Sequence, residues 1–190
     1  ASKFKAFTQG IEQADSWTTD GHKWLNTPYD CAMAICRHSA ALSSAMNADA
    51  GYSAASQDAQ KNLTLEFSRR PRGIPVWASL RTLGRDGVAA MIERHCLLAQ
   101  QIGEGLSEAG FEVINRVVIN QVLFRASSEA LTLRVREALQ TSGEAWFAGT
   151  FWQGKAALRV SVSSWRTEEI HVQKFIVLMA RIYREILAEG

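Results

Sequence analysis

Apolar positions along the chain recur with two periods, and the places where the period changes mark out the elements. Asp15 to Thr19 predicts a short strand, closed by the turn signal Asp20-Gly21. Cys31 to Cys36 is an uninterrupted apolar run of strand length, the pattern of a buried strand. From Asn47 to Lys61 small and polar residues dominate, which predicts an exposed, mobile loop whose single aromatic is Tyr52. Ile74 to Leu83 reads as a helix with Pro75 in its first turn. Asp86 is then placed to cap a longer helix with Val88, Met91, Ile92, His95, Ala99, Ile102 and Leu106 on one face, ended by Gly110. Beyond it the pattern alternates: strand Gln121 to Phe124, helix Leu131 to Leu139, strands Trp146 to Phe151 and Leu158 to Val162. Thr167 is placed to cap a final helix with acidic residues first, Arg181 and Arg184 late, and a stripe of Phe175, Leu178, Met179, Ile182 and Ile186. Strands mixed with helices in this way predict an α/β or α+β architecture.

Composition narrows the class. At 190 residues and 47% hydrophobic, the chain can build one ordinary core or two small ones, and 21% charged residues argues against wholesale disorder. A net charge of +2 is too small to point to nucleic acid or an anionic membrane. The apolar run from Phe175 to Ala180 is far short of a membrane span, and no secretory signal pattern is visible. Three sparse cysteines suggest free thiols in a reducing compartment, so a soluble cytoplasmic protein is expected. The chain opens Ala1-Ser2-Lys3 and reaches patterned sequence at once, which suggests a piece of a longer protein.

Candidate chemistry concentrates in Asp20-Gly21-His22-Lys23-Trp24-Leu25-Asn26, just past the first strand. A lysine in a partly desolvated pocket loses its proton more readily and becomes a nucleophile able to form a Schiff base. From spacing alone, a surface lysine in a turn is the commoner reading. Tyr52, a lone aromatic hydroxyl in a small-residue loop, suits a lid that supplies a proton. Arg69, Arg70 and Arg72 form a basic run before a helix, suited to site pairing or to structural salt bridges. His95, on an apolar stripe, reads as a packed histidine. No His/Cys/carboxylate cluster has metal-ligand spacing, and no glycine-rich phosphate loop occurs.

The segment Asp-Gly-His-Lys-Trp-Leu-Asn-Thr-Pro-Tyr-Asp-Cys (20–31) resembles the cofactor-lysine segment of the pyridoxal-phosphate-dependent group II amino-acid decarboxylases, notably the aromatic-L-amino-acid branch. Tyr52 stands 29 residues after Lys23, as the loop tyrosine does in that branch. Phe67-Ser68-Arg69-Arg70, Pro75 to Arg81, and Leu158 to Val162 followed by Arg166-Thr167 resemble later family segments in collinear order. The resemblance implies the fold-type I, aspartate-aminotransferase-like α/β architecture. Residues 1–72 would then be the C-terminal part of the large domain and 73–190 the small C-terminal domain. It further implies pyridoxal 5'-phosphate as cofactor, Lys23 as the Schiff-base lysine, and His22 and Asp20 as cofactor neighbours near the phosphate. Tyr52 would be the loop proton donor, and relatives with Phe there tend toward aldehyde formation. The implied reaction is decarboxylation of an L-amino acid to its amine and CO2 by a homodimer.

Departures from the pattern qualify the substrate. No Asp-x-Ala motif precedes Lys23, the span from Tyr52 to Arg69 is shorter than in the aromatic branch, and Asp20 stands where some relatives carry Asn. Two alternatives stay open: a carbon–carbon lyase of the sphingosine-phosphate lyase type, and a dimerising fragment without chemistry.

Overall fold

The computed structural model describes residues 1–46, 59–66 and 68–189. The chain forms two compact units, Ser2–Arg85 and Asp86–Gly190.

The N-terminal unit opens with short 3-10 turns at Ser2–Thr8 and Ile11–Gln13, neither of which the apolar pattern had marked. Strands β1 (Ser16–Asp20) and β2 (Ala32–Cys36) then pair antiparallel, with Ser16 opposite Cys36 and Asp20 opposite Ala32. The run expected as a buried strand is therefore a strand, but a largely exposed one: among the described residues it pairs with β1 alone, and its side chains are exposed or half-buried. Helix α1 (Ser39–Met46) follows, a short helix of small residues with no strong apolar face and hence no sequence signal. Tyr52 and most of the predicted loop lie outside the described residues, and Gln60–Asn62 forms a further 3-10 turn.

Helix α2 (Gly73–Glu108) joins the two helices expected at 74–83 and from 86 onward into one element. The interruption between them is real, because Gly84 has φ 63° and ψ −176°, which no helical residue adopts and only glycine enters without strain. Contacts divide the units one residue later, between Arg85 and Asp86.

The C-terminal unit is a four-stranded antiparallel sheet in the order β3 (Glu112–Val113), β4 (Gln121–Arg125), β6 (Lys155–Ser161), β5 (Gly149–Trp152). Helices α3 (Glu129–Ser142) and α4 (Glu169–Ala188) complete it. Val122 and Phe124 alternate inward along β4 while Gln121 is exposed, as expected of an antiparallel sheet buried on one side. They meet Ala99, Ile102 and Leu106 from α2, Val135 and Leu139 from α3, and Met179 and Ile182 from α4 in one core. The helical stripes predicted for α2 and α4 are buried apart from Val88, Ile92 and Phe175, which are half-buried. His95 lies in the α2 stripe at 0% exposure, and burial, helped by the Arg94 charge, pushes its pKa down against the opposing effect of a hydrogen bond that the ring donates to the Ser164 backbone.

Two boundaries differ from the apolar pattern for identifiable reasons. Trp146 and Phe147 precede the strand instead of starting it, because Phe147 is a core plug whose ring meets Phe124 at 5.7 Å and Phe175 at 6.1 Å. The N-cap of α4 is Glu168 instead of Thr167. Its carboxylate accepts from the His171 backbone while His171 Nδ1 accepts from the Glu168 N–H at 3.0 Å, a reciprocal pair that satisfies two orphan donors. Among the described residues no helix is long and apolar enough to cross a membrane, no group of side chains could hold a metal, and none of the three cysteines is in a disulfide.

Candidate functional site

The turn carrying Lys23 connects β1 to β2 and is closed onto its own far end. Gly21 N–H donates to the Cys31 carbonyl at 2.9 Å, His22 N–H to the same oxygen at 3.3 Å, and Thr27 N–H to the Gly21 carbonyl at 3.2 Å. A Cβ on Gly21 would lie 2.9 Å from Thr27 Oγ1, 3.2 Å from Val76 Cγ2 and 3.3 Å from Cys31 Sγ, so only glycine lets the strand end pack this closely. Asn26 turns the chain through the left-handed region at φ 53°, which Asn tolerates, and its Nδ2 donates to the Lys23 and Trp24 carbonyls at 2.9 Å each.

Three of the four sequence candidates come together in this turn. Lys23 Nζ lies 2.7 Å from Asp20 Oδ2, with the lysine side chain 72% exposed. The partly desolvated surroundings expected for Lys23 are thus not what this chain supplies; it supplies an accessible, ion-paired amine. The hydrogen bond from Lys23 lowers the pKa of the Asp20 carboxyl, outweighing an opposing effect of burial. The His22 ring is fixed by the Cys31 main chain: Nδ1 lies 2.7 Å from the Cys31 carbonyl and 3.1 Å from the Cys31 N–H, so either tautomer finds a partner. Tyr29 packs on the ring at 4.3 Å between centroids. With Nδ1 committed to the backbone, Nε2 is the ring atom through which His22 can serve a ligand. Tyr52, the fourth candidate, falls outside the described residues.

Beside the turn lies a cleft of about 890 Å³ whose wall includes His22, Asp30, Arg70, Arg72, Ile74 and Trp77. The arginine run is bound up in this wall. Arg69 donates to the Glu66 carbonyl at 2.8 Å and to Gln60 at 2.9 Å, and Arg70 to the Tyr29 carbonyl at 2.6 Å. Arg72 spans the Asp30 carboxylate at 3.2 and 3.3 Å and reaches Glu66 at 2.9 Å. That fork holds the Asp30 carboxyl well below its ordinary pKa, aided by a backbone hydrogen bond of Asp30 itself. Sequence reasoning singled out the arginines but not Asp30, Asn26 or Tyr29, whose importance lies in partners distant along the chain.

The donor set suits a phosphorylated aldehyde cofactor: an accessible primary amine for its carbonyl, an oriented imidazole beside it for its phosphate, and a buried Thr27 hydroxyl with no partner among the described residues. The pyridoxal-dependent decarboxylase conserved domain matches residues 1–127, and the chain belongs to that family. It is 26% identical over 186 residues to tryptophan decarboxylase 2 of Oryza sativa subsp. japonica, covering 90% of this chain and 37% of that protein. It is 33% identical over 135 residues to the aromatic-L-amino-acid decarboxylase of Bacillus atrophaeus, covering 66% of this chain and 28% of that one.

Solved structures agree on the fold. The Oryza sativa TDC structure with PLP and tryptamine superposes with a TM-score of 0.91 at 24% identity, over 98% of this chain and 42% of that one. Catharanthus roseus tryptophan decarboxylase in complex with L-tryptophan gives 0.84 at 25% identity, over 97% and 40%. The α/β fold expected from the sequence, that of the fold-type I decarboxylases, is the fold of this chain. The chain spans less than half the length of each of these relatives.

Proposed function

We propose that the protein carrying this chain is a pyridoxal-phosphate-dependent carboxy-lyase that converts an L-amino acid, of the aromatic class named for its relatives, to the amine and CO2. The observation that carries this is the Asp20–Asn26 turn, which presents an accessible Lys23 amine next to a backbone-anchored His22 in a chain of the pyridoxal-dependent decarboxylase family. When bound, pyridoxal phosphate supplies the electron sink that stabilises the carbanion left as CO2 departs.

The chain's own residues would divide the remaining work. Lys23 Nζ would hold the cofactor covalently; its ammonium must first shed a proton to act as the nucleophile, so the Asp20 ion pair must open for attachment to begin. Asp20 keeps that amine over the turn between cycles. His22 Nε2 donates toward the phosphate, with Nδ1 held by Cys31 fixing the ring. Tyr52 Oη returns a proton to the substrate Cα, and a tyrosine there favours amine over aldehyde. That assignment rests on its position 29 residues after Lys23. Residues 1–72 complete the large cofactor-binding domain and 73–190 form the small domain of a cytoplasmic homodimer. Three cysteines outside any disulfide, two of them buried, suit a reducing compartment.

The test is intact mass before and after borohydride reduction of the purified protein in the presence of pyridoxal phosphate. The cofactor mass should become fixed on Lys23 and be absent in Lys23→Ala; fixation on another lysine would end the assignment. Tyr52→Phe should retain that mass while shifting product from amine to aldehyde, and an unchanged amine yield would remove Tyr52 from the chemistry.

A further inference from the structure

The far end of the His22–Lys23 turn meets its start at Cys31, which takes the Gly21 and His22 N–H groups on its carbonyl and holds His22 Nδ1 through its main chain. Whatever places Cys31 therefore places the imidazole. Cys31 follows Asp30, whose side chain is 59% exposed and could not be held by burial. It is held by Arg72, forty-two positions along the chain. Nε of Arg72 donates to the Asp30 carbonyl at 3.1 Å and to Oδ1 at 3.2 Å, and Nη2 to Oδ2 at 3.3 Å. The Arg72 carbonyl also accepts the Cys31 thiol at 3.3 Å, so one residue grips two successive residues of the turn's far end. Arg70 adds a third grip at the Tyr29 carbonyl, behind the ring that packs on His22.

We propose that Arg72 is a positioning residue for the cofactor turn, acting through Asp30 and Cys31 to set the His22 ring beside Lys23. The proposal rests on the pyridoxal-phosphate reading for its consequence but not for its geometry. A planar guanidinium suits the task because it engages both carboxylate oxygens at once and leaves Nη1 for Glu66; a lysine ammonium, a point charge, cannot hold all three. The competing role is a plain strut, in which Arg72 merely ties 66 to 72 and stabilises the N-terminal unit.

The two roles part company in four variants of the whole protein: Arg72→Gln, Arg72→Lys, Asp30→Asn and Glu66→Gln. Three quantities are read: the His22 ring resonances, assigned by their loss in His22→Gln; the affinity for added pyridoxal phosphate by absorbance titration; and the unfolding midpoint. Arg72→Gln and Asp30→Asn should each shift the His22 resonances in the same sense and weaken pyridoxal phosphate by about two- to fivefold, the scale of one exposed charge pair. Their double variant should be no worse than the worse single. Arg72→Lys should recover part of the affinity. Glu66→Gln removes the other arm of the same guanidinium, and should lower the midpoint while leaving His22 and the affinity in place. Unmoved His22 resonances in Arg72→Gln, or a Glu66→Gln variant that loses affinity equally, would overturn the proposal in favour of the strut. If the unaltered protein takes up no pyridoxal phosphate, the functional reading fails, while the His22 resonances still decide whether Arg72 positions the ring.

Discussion

Placing an alanine at residue 21 tests whether the lysine turn is held by packing as tightly as its geometry implies. The new Cβ would sit 2.9 Å from Thr27 Oγ1, closer than carbon and oxygen tolerate, with Val76 Cγ2 at 3.2 Å and Cys31 Sγ at 3.3 Å. None of these neighbours can swing into solvent, since Thr27 and Val76 are each 7% exposed and Cys31 is 3%. Overpacking of this kind costs about 1–3 kcal/mol, whereas replacing Gly with Ala recovers about 0.4–1 kcal/mol by stiffening the unfolded chain. The net expectation is a loss of about 1–2 kcal/mol. Thr27→Ala removes both the nearest obstacle and a buried hydroxyl without a partner among the described residues, so the double variant should regain most of the loss. Urea unfolding monitored by tryptophan fluorescence reads the cycle, since Trp17, Trp24 and Trp77 all lie in this unit. A Gly21→Ala midpoint within about 0.3 kcal/mol of the parent, or losses from the two changes that simply add, would refute the packing account.

The core of the other unit should respond to Phe124→Ala with a loss of about 3–5 kcal/mol, because its ring is fully buried between Phe111 and Phe147; a loss below about 1.5 kcal/mol in chemical denaturation would mean that the site collapses. His95 is disfavoured as the cation in the folded state, so the unfolded chain binds the proton first. Stability is then full above the ordinary histidine pKa of about 6.5 and falls as pH drops below it, and a His95→Gln variant should lack that part of the slope in a pH series of unfolding midpoints. Asp20 gives a slope of the same sign in a lower pH window: its lowered pKa adds stability above the ordinary carboxylate range that is lost as pH falls through the folded value. Asp20→Asn should therefore flatten the acid limb, and should let Lys23 react with amine reagents at lower pH than in the parent; an unchanged labelling profile by peptide mass would show that the ion pair is idle.

Much of this protein is written locally. The 3.6-residue stripes of α2 and α4 mark the faces that are buried, because a helix can hide an apolar face only where that face recurs at its own period. Asp20-Gly21-His22-Lys23 marks the candidate chemistry, because a strand end, a turn glycine and an amine lie within a few residues and one turn brings them together. Other features depend on residues that meet only when the chain folds. Phe147 looks like strand and is a core plug because Phe124 and Phe175 close around it. Cys31 to Cys36 looks like a buried strand, yet past the buried Cys31 it is exposed or half-buried, because burial depends on neighbours that no run of apolar letters specifies. The cap of α4 passes from Thr167 to Glu168 because His171 can return the hydrogen bond. Asp30 carries no signal at all until Arg72 folds back onto it. The amine and the imidazole are thus local properties of a short segment, whereas their setting, exposed beside Asp20 and anchored through Cys31, is a property of contacts across some forty residues that only the tertiary structure makes.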